Sequence, residues 1–329
     1  MADPVEKLII QICYAIIMLS PLNTDVGNPF LGRLKMDPYD FYKVTKQQLE
    51  VQAQSKGITN LSRYYELTDY HEGSFLNDYS GKSQIFAQIA FHAQNATMIS
   101  SIVKFERNVE FLSAALCSFD PDLFCKTYSA NNREESVQKI VDKLRFDPKT
   151  GLGLTWDSSK SMEKNKDKIV RRYANTLIDA AEFVSRFDSR EEFLYDLLSH
   201  YKNNNYSELI KYFRKNIQHG FSVALTCDFL KEFDRSFSDL PKPDVHIKDT
   251  LCALYGYEKN YYNTERKEQE CIGTMQTLVK QINAQLPQDE RITVYQLDRM
   301  IWLICSGYFF LDDAGDYKEK YINAIRGLS

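Results

Sequence analysis

Apolar residues recur along this chain at the period of an α-helix, and no convincing alternating series of the strand type accompanies them. Ile169, Tyr173, Leu177, Ala181 and Val184 fall on one helical face. Tyr206 to Ile217 reads as another helix with Leu209, Tyr212, Phe213 and Ile217 inward. Ser189-Arg190-Glu191-Glu192 and Thr293-Val294-Tyr295-Gln296 have the form of a capping box, each ahead of an apolar run. The expectation is an all-α protein.

At 329 residues, with 21 Tyr and 20 Phe, the chain is long enough for two domains with sizeable cores. A net charge of -4 argues against coating nucleic acid indiscriminately, but it allows a local basic face. Between Lys139 and Arg172, ten Lys or Arg face five Asp or Glu. That surplus is either a solvated helix face with a loop or a phosphate-facing strip. Ser158 to Lys168 is polar enough to form a surface loop.

Cysteines 13, 117, 125, 227, 252, 271 and 305 are odd in number and form no CxxC pair. Reduced thiols in an intracellular protein fit that spacing better than disulfides or zinc. The apolar run Leu8 to Leu19 lacks a basic leader, since Asp3 and Glu6 precede it, and it is too short to span a bilayer. A buried N-terminal helix is expected there, and no membrane partner.

The richest stretch runs from Ile217 to Ile247. Gly220 allows a sharp turn between two helices. A helix opening at Phe221 or Ser222 would then present free N–H groups to a phosphate, and Ala224 is small enough for close helix packing. A generic helix–turn–helix joint has the same look. Further on, Lys242-Pro243-Asp244-Val245-His246-Ile247 sets a carboxylate at a helix start. Asp244 is there as an N-cap, or as a fixed, partly desolvated charge able to stabilise positive charge developing on a sugar.

These segments resemble the helix-hairpin-helix DNA glycosylase superfamily, which includes endonuclease III and the oxoguanine glycosylases. Gly220 matches the second hairpin glycine, Gln218 stands where the first is usual, and Pro243 to Ile247 resembles the segment carrying the catalytic Asp. Ala93-Gln94-Asn95-Ala96-Thr97 looks like the segment that opens a helix bordering the base pocket. Tyr295 to Trp302 resembles a late helix of the family. The likeness runs as an order of segments from about Phe86 to Phe310.

The resemblance implies a helical barrel over residues 82–235 that ends in the hairpin. A second domain, 1–81 plus 236–329, would carry Asp244, with a DNA-holding cleft between the two. It further implies duplex DNA with a damaged, mispaired or modified base as substrate, gripped by Gln218, His219, Gly220, Ser222 and Val223. Gln94 or Asn95 would fill the gap left by the flipped base. Phe91, Tyr212, Trp302 and Tyr308 are candidate pocket aromatics, and His246 would orient Asp244. Each of these five side chains has an equally plain reading as a structural residue.

Bifunctional members carry a nucleophilic Lys where Ser222 or Val223 stands here. A monofunctional N-glycosylase is therefore expected, with weak or no lyase action, although Lys242 and Lys248 lie nearby. Four closely spaced C-terminal cysteines are missing, so no iron–sulfur cluster is expected; nor is a metal or any other cofactor. Two rivals remain. One is a non-catalytic DNA- or protein-binding module. The other is a metal-dependent nuclease, since Pro243-Asp244 with Glu265-Arg266-Lys267 spells PD…ExK. Gly151-Leu152-Gly153 lacks the Lys-Ser/Thr of a phosphate-binding loop.

Overall fold

The computed structural model describes residues 34–65, 75–96, 99–147, 149, 151, 153–155, 163–201, 205–309, 315 and 317–327. The chain divides into two units, Met1–Arg33, which lies outside the described residues together with the expected helix of Leu8 to Leu19, and Leu34–Ser329.

The second unit is all-α. Its helices run α1 (Pro38–Ser55), α2 (Gly81–Ala93), α3 (Pro121–Thr127), α4 (Arg133–Leu144), α5 (Glu163–Val184), α6 (Arg190–His200) and α7 (Tyr206–Asn216). They continue with α8 (Val223–Phe233), α9 (Val245–Tyr255), α10 (Glu265–Asn283), α11 (Val294–Ser306) and α12 (Lys318–Arg326); a further helix, Val109–Ala115, lies between α2 and α3, and shorter helical turns join the rest. Among the described residues the one extended pairing is an isolated bridge between Arg145 and Leu154.

The expected helical faces are buried. Tyr173, Leu177, Ala181 and Val184 point into the core from α5. Thr293 and Gln296 close a full capping box on α11, with Thr293 N–H donating to Gln296 Oε1 at 2.7 Å and Gln296 N–H to Thr293 Oγ1 at 3.1 Å. Ser189 completes half of its box by accepting from Glu192 N–H, while the Glu192 carboxylate accepts from Asp188 N–H instead. One expectation needs correction. The polar tract to Lys168 is not all loop, because α5 already begins at Glu163. Lys and Glu are good helix formers, so the helix whose fully buried positions start at Val170 extends backwards through them.

Two hydrophobic clusters form within this unit. One gathers side chains from Leu76 to Leu240 and includes Ile272 of α10. The other joins α1 to α9, α10, α11 and α12 through Phe41, Leu49, Leu251, Met275, Leu297 and Tyr321. Helix α10 thus feeds both, Ile272 into the first and its neighbour Cys271 into the second. In the first cluster Cys117, Ser118 and Phe119 hold φ of 60°, 55° and 55°, a left-handed turn without glycine. Each such residue costs roughly 1–2 kcal/mol. Phe119 offsets part of that strain, fully buried and stacked on Phe105 at 5.6 Å.

Candidate active site

The hairpin joins α7 to α8. Gly220 turns with φ +84°, and a Cβ there would stand 2.3 Å from Thr176 Oγ1 on α5. No other residue fits without displacing Thr176. Ser222 N-caps α8, its Oγ accepting from Leu225 N–H at 3.2 Å. Helix α8 therefore starts at Val223, one or two residues later than expected, and the exposed Ser222 leads it. The N–H groups of Gly220 to Ala224 precede the first intrahelical bond, Thr226 N–H to Ser222 C=O. Arg214 on α7 closes the turn by donating from Nε to Phe221 C=O at 3.2 Å.

Helix α5 holds this turn in place. His219 donates its backbone N–H to Asp179 Oδ2 at 3.0 Å, and its Nδ1 lies 2.7 Å from the same oxygen. Arg133 pairs with the other oxygen at 2.8 Å. Phe183 of α5 meets Phe213 of α7 edge-on, and Phe213 meets Phe229 of α8 at 5.1 Å. Helix α5 also brings the basic strip to the hairpin. Arg172 is one turn before Thr176 and Lys168 a further turn back, and both are exposed. Exposed Lys211 and Lys215 flank the turn on α7.

Asp244 caps α9 and is half-buried. Both capping bonds use one oxygen, for Oδ1 accepts from His246 N–H at 2.8 Å and from Ile247 N–H at 3.2 Å. Among the described residues Oδ2 has no hydrogen-bond partner. The carboxylate is thus fixed through one oxygen and has the other to spare. His246 follows on α9 with a buried Nδ1 that lacks a hydrogen-bond partner among the described residues. Burial pushes its pKa below the ordinary imidazole value, Asp244 pulls the other way, and Lys318 adds to the fall.

Behind Asp244 lies a buried ionic network that sequence reasoning missed. Lys231 on α8 is 2% exposed and pairs with Asp298 on α11, itself 2% exposed. Lys231 also lies 3.6 Å from Asp228, and Lys242 Nζ binds Asp228 at 2.9 Å. His92 of α2 stands 3.5 Å from the same Asp228 oxygen. Burial would raise the pKa of Asp228, yet Lys242, His92 and Lys231 outweigh it and hold the carboxyl well below the usual carboxylate range. At Asp298 burial prevails over Lys231 and the pKa goes up. The difference has a cause, since Asp228 faces several positive groups and Asp298 chiefly one. A signal was present in the sequence. Asp298 falls at helical spacing among Val294, Leu297, Ile301 and Cys305, a charge on an otherwise inward face.

Other expected site residues divide. Gln94 is 6% exposed and accepts from Phe105 N–H at 2.9 Å, so it cannot insert into a duplex. Asn95 beside it is exposed. Their segment closes α2 rather than opening a helix, with Thr97 outside the described residues. Val223 is 1% exposed, so its side chain cannot reach DNA, whereas Gln218 is exposed. Tyr212 donates to Asp196 at 2.6 Å and stacks on His200. Phe91 packs on the first hydrophobic cluster and Trp302 on the second. Tyr308 is 45% exposed. Among the described residues no pocket is seen to draw these four aromatics together. The nuclease pattern lies on helices, not on a β-hairpin. Both of its parts open helices, Glu265 pairs with Arg214 at 2.5 Å, and Lys267 pairs with Glu270.

Family models, curated proteins and solved structures offer no match to this chain.

Proposed function

We propose that the chain is a monofunctional DNA N-glycosylase in which Asp244 is the catalytic carboxylate. The observation that carries the reading is the division of labour at Asp244. Two backbone N–H groups fix Oδ1, and Oδ2 has no hydrogen bond among the described residues. A preorganised charge of this kind stabilises an oxocarbenium-like sugar as the base departs, and then accepts a proton from the attacking water.

The hairpin supplies the grip. Backbone N–H groups at the start of α8 would bind a strand phosphate, with His219 Nε2 and Gln218 beside them. Arg172 and Lys168 continue the positive surface along α5. Duplex DNA would lie across the hairpin at the head of α8 and the carboxylate at the head of α9. The target base would be flipped out, with Asn95 the exposed candidate to fill its place and Tyr308 the exposed aromatic to stack on it.

The nearby lysines argue against a Schiff base. Lys231 is buried between carboxylates, Lys242 pairs with Asp228, and Lys248 pairs with Glu268 at 2.6 Å. A nucleophilic amine has to be neutral; burial alone would favour that form, but the neighbouring carboxylates outweigh it and keep Lys231 and Lys242 charged. Among the described residues no helix is long and apolar enough to cross a membrane.

A panel of duplexes with different damaged, mispaired or modified bases tests the reading, with alkali used to cleave abasic sites. Alkali-dependent cleavage at one class of base, insensitive to a metal chelator, is expected. Intact strands across the whole panel would leave the hairpin a binding module. Cleavage abolished by chelator would favour the nuclease.

A further inference from the structure

We infer that Lys242 is a positioning residue for Asp244, and that its ion pair with Asp228 keys the carboxylate to the hairpin helix. This rests on the glycosylase reading.

Asp244 hangs on a short strap, residues 241–244, in which Pro241 and Pro243 are both buried. Between the prolines Lys242 makes three attachments. Its N–H donates to Asp298 Oδ1 at 3.2 Å, its C=O accepts from Asp244 N–H at 2.7 Å, and its Nζ binds Asp228 Oδ2 at 2.9 Å. A lysine flanked by prolines on a loop ordinarily extends into water; this one turns inward against its own desolvation.

Asp228 lies six residues after Ser222 on α8, about 9 Å along the helix axis from the hairpin. Lys242 therefore connects the element that would hold the strand to the residue that would act on the sugar. Lys231 is shared by Asp228 and Asp298. Without the charge of Lys242, Asp228 competes for Lys231, and Asp298 loses the cation that steadies its hold on Lys242 N–H. Both tethers of the strap then loosen together. The hairpin itself remains intact, because Asp179 and Arg214 hold it through hydrogen bonds to His219 N–H and Phe221 C=O.

The test compares the full chain with Lys242→Met and Lys242→Arg, using single-turnover base release at saturating enzyme, DNA affinity, and amide exchange at His246 and Ile247. Lys242→Met is expected to slow release on the order of 100-fold with Kd unchanged, as a misplaced catalytic group does. Lys242→Arg should restore most of the rate. The two amides capped by Asp244 should exchange about tenfold faster in Lys242→Met while amides in the middle of α8 do not change. Unchanged release, or a loss explained wholly by weaker binding or by the unfolded fraction, overturns the proposal. If the wild-type chain releases no base at all, the glycosylase reading fails, and the amide exchange alone decides whether Lys242 positions Asp244. Lys242→Gln retains a donor for Asp228 and replaces Lys242→Met should that variant fail to fold.

Discussion

At Asp244 the two carboxylate oxygens have different surroundings, and substitutions separate them. Asp244→Ala removes the acceptor for His246 and Ile247 N–H. Losing such a cap costs about 0.5–2 kcal/mol, which thermal unfolding would register as a fall of a few degrees in Tm, about 2–4 °C per kcal/mol. Asp244→Asn keeps an acceptor at Oδ1 and should leave Tm near the wild-type value. His246 next to it makes a pH prediction. Its pKa is lowered by burial, against Asp244 and Asp249 and with Lys318 and Lys242. The unfolded chain therefore binds the proton more readily. The contribution of neutral His246 to stability is present above about pH 6.5 and is lost as pH falls through the folded value. Unfolding midpoints followed from about pH 7.5 to about pH 5 should fall less in His246→Asn than in wild type. Gly220 tolerates no side chain, with φ +84° and Thr176 Oγ1 in the way. Gly220→Ala should lose at least about 1–2 kcal/mol from backbone strain alone. Thr176→Ala in the same chain should recover only the steric part, as denaturant midpoints would show.

Among the elements, α8 connects the hairpin at its start to the ionic network at Asp228 and Lys231. Lys231→Met leaves Asp298 and Asp228 in a poorly hydrated site without their shared cation, so a loss of about 3–5 kcal/mol in denaturant unfolding is expected. Helix α5 carries the electrostatics. Lys168→Ala with Arg172→Ala should reduce the salt dependence of DNA affinity by about two counterions, without altering preference among bases. The helices themselves were legible because apolar spacing is a local property, as was the full capping box of Thr293 and Gln296. What was not legible depends on partners distant in sequence. Gln94 looks like a free polar side chain until Phe105 N–H is found opposite it. Asp228 meets Lys242, 14 residues away, and Lys231 meets Asp298 67 residues on, so no window of sequence displays the network. Glu163 to Lys168 reads as loop by polarity, yet it is helical because the buried face of α5 begins just behind it.

In the molecule as a whole, the hairpin belongs to one hydrophobic cluster and α9, with Asp244 at its head, to the other. The network of Asp228, Lys231, Asp298 and Lys242 links α8 to the strap that bears the Asp244 carboxylate. Binding and chemistry should be separable by exchanging one carboxylate oxygen of Asp244 for an amide nitrogen. The most direct measurement is a paired one on the duplex that wild type processes: Kd by fluorescence anisotropy and single-turnover base release, for wild type and Asp244→Asn. Wild-type affinity with release slowed by roughly 100-fold or more is the predicted result. Release by Asp244→Asn at the wild-type rate would contradict the assignment of Asp244 and, with it, the proposed mechanism.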